Sequence, residues 1–436
     1  MSHNPSDAGI PPGQAVFLPA FQLPAVSSIS NPRERAIFPG AKELNWFDPK
    51  NEHWSYCAGL YSLGQSSLRL DDPSETMITQ RDVGRTLLIA DSGGYQLGKG
   101  TFKKIEGKMS RSFLKSIEYD ELRLSVLRWM EKYADYGMII DFPAWAINEP
   151  GFIFDKFQEC LYETKRNMLF FRDNLTGDGK LKLLSVIQGR SIDEAFNWYS
   201  DVKDVSEFPY SGWSFAGPVV SDSTITLRMI LKLLKDGRLN EKENWIHLLG
   251  RGSQNAIFVF NIFQQCLDRY INRNIRISYD ISTPFLMSGR FGKVYTHLEK
   301  TKSGYTMPFS RYRDLRSLAK VMTGYKKKSE WCGPFDKDLV RSDLHVPVTP
   351  RNKYGLDDLS SAYLTHRNVY LYCQGMRVIV HNTFSLEEPE NRGAFTSLLR
   401  RFRNDVFTTF ERFSSGGMTD DEICYLNISR EYEAII

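Results

Sequence analysis

Short apolar runs that each stop at a carboxylate, an amide or a glycine are what most constrain the fold of this chain. Leu87-Leu88-Ile89-Ala90 delivers Asp91-Ser92-Gly93-Gly94-Tyr95-Gln96. Gly137-Met138-Ile139-Ile140 ends in Asp141, and Leu183-Leu184-Ser185-Val186-Ile187 ends in Gln188-Gly189. Trp213-Ser214-Phe215 leads to Ala216-Gly217, Trp245-Ile246-His247-Leu248-Leu249 to Gly250, and Ile275-Arg276-Ile277-Ser278-Tyr279 to Asp280. Apolar runs of this length, bounded by turn residues, read as buried strands. Helix-length stretches lie between them, at 119–136, 155–173, 192–202, 224–235 and 253–273. Such alternation predicts parallel strands joined by helical crossovers. Two further strands, expected at 55–58 and 377–380, bring the number to eight and predict a (β/α)8 TIM barrel. The alternative is an open doubly wound sheet, but no Gly-rich phosphate loop follows the first strand.

The rest of the chain divides by composition. Residues 1–53 are rich in Pro, Ser and Gly and read as an extended N-terminal arm. The barrel is expected over 54–299 and 356–390, with an insertion at 300–355 before the last strand. A helical segment at 391–436 contains an amphipathic stretch at 394–413. The formal net charge is only +4, yet the insertion is strongly basic. Its Arg311, Arg313, Lys326, Lys327 and Lys328 stand among Phe309, Tyr312 and Tyr325, a mixture that suits a phosphate backbone and unstacked bases. No apolar run approaches the ~20 residues that span a bilayer, so no membrane partner is expected. The six cysteines are scattered and form no disulfide framework, which suggests a cytoplasmic protein.

A barrel brings its strand ends to one rim, so Asp91, Asp141, Gln188, Gly217, Leu249 and Asp280 are candidates for one site. Carboxylates accept hydrogen bonds, and an amide both donates and accepts. A guanine-like edge carries N–H donors beside a carbonyl, and such groups would read it completely. Glycines at 93, 94, 189 and 217 leave room for a planar ring. Two further carboxylates could then attack a sugar and move a proton on the base. Taken singly these residues are weak signals, because a strand-end Asp is often a helix cap.

Together they resemble a known family. Asp91-Ser-Gly-Gly-Tyr-Gln is similar to the Asp-Ser-Gly-Gly-Phe-Gln motif of the tRNA-guanine transglycosylase superfamily. In the same order follow Val186-Ile187-Gln188-Gly189, Phe215-Ala216-Gly217, Leu248-Leu249-Gly250-Arg251-Gly252 and Tyr279-Asp280-Ile281-Ser282-Thr283-Pro284. Ser361-Ala362-Tyr363-Leu364 and Val380-His381-Asn382 resemble two later motifs, so the likeness covers roughly 85–385. It implies that Asp280 attacks the anomeric carbon and that Asp91 is the general acid/base. It implies further that Ser92, Gly93, Tyr95, Asp141, Gln188, Gly189, Gly217, Leu249 and Gly250 surround the base.

Two departures narrow the expectation. The family's zinc site has three cysteines and a histidine. Here only Cys332 and His381 match, with Pro334 and Lys337 at other ligand positions. Two candidates do not make a closed zinc site, so no cofactor is expected. After Asp280 the tRNA enzymes carry an arginine-rich anchor, whereas this chain reads Pro284-Phe285-Leu286-Met287. That pattern resembles the DNA 7-deazaguanine transglycosylase (DpdA-type) branch. It implies exchange of guanine in DNA for a free base such as 7-cyano-7-deazaguanine, alongside partner proteins of a DNA-modification system. A tRNA enzyme is the first alternative. A non-catalytic nucleic-acid-binding subunit and a barrel O-glycosidase are the others.

Overall fold

The computed structural model describes residues 13–30, 44–52, 54–105, 107–177, 180–206, 210–301, 304–311, 358–384 and 397–426. Eight parallel strands close into a barrel in sequence order. They are β1 (Val16–Phe21), β2 (Ala58–Ser62), β3 (Leu87–Asp91), β4 (Tyr136–Met138), β5 (Lys182–Ile187), β6 (Tyr210–Phe215), β7 (Trp245–Leu248) and β8 (Arg276–Ile281). Closure comes from β1, which pairs with β2 on one side and β8 on the other, with Leu18 opposite Asp280. The TIM barrel expected from the alternation is therefore the observed fold.

The helices follow as α1 (Leu23–Ser30), α2 (Ile117–Tyr133), α3 (Phe157–Asn174), α4 (Ile192–Val202), α5 (Ser223–Lys235), α6 (Gln254–Tyr270), α7 (Asp358–Phe384) and α8 (Ser397–Ser414). Polar caps start several of them. Ser116, Ser191, Asp222 and Ser253 each accept a backbone N–H of the first turn. These bonds satisfy donors that a helix start leaves open. Among the described residues no helix is long and apolar enough to cross a membrane.

Three expectations are corrected. First, the eighth strand is not at 377–380. Those residues lie inside α7, whose buried Val369, Tyr372, Cys373, Met376, Ile379 and Val380 repeat at helical spacing. The strand expected at 55–58 is instead β2, beginning at Ala58. Second, the described part of 1–53 is not an extended arm. It supplies β1 and α1, and it buries Trp46 completely. The Trp46 ring stacks on Phe21 at 4.9 Å and on Trp54 at 5.3 Å, and its Nε1 donates to His366 Nδ1 of α7 at 3.1 Å. Third, since β8 is the last strand of the barrel, the 300–355 stretch follows the barrel and does not interrupt it. Its described start forms antiparallel pairs. β9 (Lys293–Tyr295) pairs with β12 (Phe309–Arg311), and β10 (Glu299–Thr301) with β11 (Gly304–Thr306). The remainder of the stretch lies outside the described residues.

Candidate functional site

Parallel strands point their carboxyl ends at one rim, and here that rim collects polar groups from neighbouring strands. Ser62 ends β2 directly beside Asp91, the last residue of β3. Asp141, Gln188, Gly217 and Gly250 follow β4, β5, β6 and β7, and Asp280 lies near the end of β8.

Asp91 is half-buried, and its Oδ1 accepts the Gly93 N–H at 3.1 Å. Gly93 has a φ of +98°, and a Cβ there would lie 2.7 Å from the Gly64 Cα. Only glycine fits that turn. Burial pushes the Asp91 carboxyl above its ordinary value, and the charge of Asp280 adds to this. Hydrogen bonding from Ser62 and from the Gly93 N–H acts in the opposite direction, as does His247.

Asp141 is buried, and Gln188 Nε2 donates to its Oδ2 at 2.5 Å. Burial pushes this carboxyl up to about 7; the Gln188 bond opposes the rise and the charge of Asp91 adds to it. Gly94 makes room for the carboxylate, since a Cβ there would sit 2.4 Å from Asp141 Oδ1. Gln188 Oε1 is buried and has no hydrogen-bond partner. It lies near Gly217, where the nearest atoms to an added Cβ would be Trp145 Cδ1 at 3.5 Å and Gln188 Oε1 at 3.6 Å. Trp145 packs against the 60 % exposed Tyr95, with ring centroids 5.7 Å apart. An unpaired buried acceptor beside a bare glycine and an indole suits a planar ligand bearing N–H groups.

Asp280 is almost fully buried, and its Oδ1 accepts the Gly250 N–H at 2.6 Å. His247 Nε2 approaches the same oxygen at 3.3 Å. Beneath them, His247 Nδ1 lies 2.8 Å from Ser278 Oγ, which also accepts from Trp245 Nε1 at 2.8 Å.

The expected residues thus divide. Asp91, Gly93, Asp141, Gln188, Gly217, Gly250 and Asp280 assemble on one rim, and Tyr95 stands at its edge. Leu249 is half-buried and packs against the core. Ser92 is fully buried and donates its hydroxyl to Ile139 O at 2.8 Å, tying β3 to the end of β4. Gly189 sits against the first turn of α4. A Cβ there would lie 2.6 Å from the Ala195 nitrogen, so its bareness serves the packing of α4. Arg311 ends β12, whereas Arg313, Lys326, Lys327, Lys328 and Cys332 lie outside the described residues. His381 is exposed on the last turn of α7. Among the described residues no cluster of three or more His, Cys, Asp or Glu gathers as a metal site.

Trp145 and His247 were not expected. Trp145 stands four residues after Asp141 in the same strand-to-helix loop. His247 is a polar residue inside an apolar strand run, two positions from Trp245 on the inward face, and that was its signal.

Comparison with protein-family models finds none that matches the chain. Comparison with curated proteins finds no match either.

Proposed function

We propose that this chain is a guanine transglycosylase that exchanges guanine in DNA for a 7-deazaguanine base. The observation that carries the proposal is the buried, unpartnered Gln188 Oε1 beside Asp141 and close to Gly217, on a rim that also presents Asp91 and Asp280. Leaving a buried acceptor unmade costs about 1–3 kcal/mol, which a ligand N–H would recover. The Watson–Crick edge of a guanine offers adjacent N–H donors, so one ligand serves both Asp141 and Gln188.

In the first half-reaction an Asp280 oxygen attacks C1′ of the extruded nucleotide. The C1′–N9 bond breaks with its electron pair going to the base, which takes a proton from the Asp91 carboxyl. The raised Asp91 carboxyl suits this role, because burial favours its protonated form. In the second half-reaction the incoming base returns a proton to Asp91, and its N9 attacks C1′. The ester bond breaks, and its electron pair returns to the Asp280 carboxylate. A duplex substrate must flip the target base to reach the rim.

The segment after Asp280 favours DNA over tRNA. Thr283–Gly289 is a short helix that buries Phe285 and Met287, with Phe285 6.0 Å from the Phe21 ring. Core packing occupies the place where the tRNA enzymes carry a cationic anchor.

The test is incubation with labelled guanine and duplex DNA, single-stranded DNA or tRNA. DNA should take up label, and Asp280→Asn should abolish uptake while circular dichroism and thermal unfolding stay near wild type. Uptake by tRNA alone would overturn the choice of polymer. Near-normal turnover by Asp280→Asn would remove the nucleophile.

A further inference from the structure

We infer that His247 is a positioning residue for Asp280: locked in its Nε2–H tautomer by Ser278, it helps fix which carboxylate oxygen is presented to a sugar. Only the kinetic consequence rests on the transglycosylase function proposed above; the tautomer follows from the barrel interior alone.

His247 is fully buried, and in register it lies between Ser214 of β6 and Ser278 of β8. Trp245 Nε1 is a donor only, so Ser278 Oγ accepts from it. One hydroxyl hydrogen is then left to give. Two acceptors are within reach, His247 Nδ1 at 2.8 Å and Ile246 O at 3.5 Å. The 2.8 Å contact against the 3.5 Å one favours Nδ1 as the acceptor, which leaves the ring hydrogen on Nε2.

That proton faces Asp280 Oδ1 from 3.3 Å, off the line of a good hydrogen bond. Catalytic contacts are often long before substrate binds and tighten in the complex. The Gly250 N–H reaches the same oxygen at 2.6 Å. With both donors converging on Oδ1, the carboxylate cannot rotate freely about its last bond, and Oδ2 is the oxygen presented for attack. When the Oδ2–C1′ bond breaks in the second half-reaction, the same two donors steady the returning carboxylate charge.

The test joins spectroscopy with kinetics. In protein labelled with ¹⁵N-histidine, the His247 resonances are assigned by their disappearance in His247→Gln. Wild type should show an unprotonated Nδ1 and a protonated Nε2, and Ser278→Ala should weaken that preference. A predominant Nδ1–H form in wild type would overturn the inference, whether or not any polymer supports exchange. In the exchange assay His247→Leu should lower kcat by on the order of 10²-fold, the scale of a small misplacement of a reacting group. KM for the free base should be unchanged, and His247→Gln, whose amide can still donate to Oδ1, should recover most of kcat. Thermal unfolding separates this from misfolding. A folded His247→Leu with wild-type kcat would overturn the positioning role. If wild type exchanges no base into any polymer, the proposed function fails while the tautomer measurement still decides this inference.

Discussion

The Asp141 carboxyl, pushed up to about 7 chiefly by burial, is proton-sensitive near neutral pH. A raised carboxyl binds its proton more tightly in the folded chain than in the unfolded one. Its contribution to stability is fully present below the ordinary Asp value and is lost as pH rises through about 7. Asp141→Asn cannot ionise, so it should gain on wild type as pH rises from about 4 to 8, by at most about 4 kcal/mol. Urea midpoints across that range check this, and a constant difference would contradict it. Binding has the opposite sign, because the carboxylate is the form that accepts ligand N–H groups. Free-guanine affinity should fall roughly tenfold per pH unit below 7 and lose that slope in Asp141→Asn, as read by calorimetry. Asp91, Asp141, Gln188 and Asp280 were legible in the sequence because a polar residue at the end of an apolar strand has few places to go but the rim. Trp145 and His247 were not. An indole in a loop and a histidine inside a strand are read first as core, and only the closed barrel shows what they face.

At the scale of elements, legibility followed the strength of the local pattern. β3, β5 and β7 are mostly apolar runs, and α4, which matches its expected bounds, starts at a serine cap. β1 escaped notice because Pro19 interrupts it, and proline in a run argues against a strand. The misassigned stretch at 377–380, Arg377-Val378-Ile379-Val380, is rich in β-branched residues, yet it belongs to a helix of 27 residues. Tertiary packing against α6 and the helix Thr283–Gly289 overrode that propensity. Among the glycines, sequence alone could not separate those that shape the rim from those that seat a helix. Gly189→Ala forces a Cβ to 2.6 Å from the Ala195 nitrogen, so it should lower stability by about 1–3 kcal/mol through displacement of α4. A melting temperature equal to wild type would show that α4 gives way without cost.

For the whole molecule, β1 decides whether there is a barrel at all. It is hydrogen-bonded to β2 and to β8, and Phe21 at its end stacks on Trp46. A chain lacking residues 1–43 should lose cooperative thermal unfolding and expose the edges of β2 and β8 to association. Were that segment a dispensable arm, the melting temperature would not change. The pairing of β1 with β8 also has a consequence for how the protein is made. Synthesis runs from the amino end, and β1 emerges more than two hundred residues before Ile281. Throughout that interval one side of β1 has no neighbour, and the growing sheet stays open on a ribosome that adds ~5–20 residues per second. The strand that shuts the sheet is the strand that carries Asp280. A nascent chain therefore cannot hold that carboxylate in its final setting before the barrel is complete, and assembling the rim and finishing the fold are one event in time.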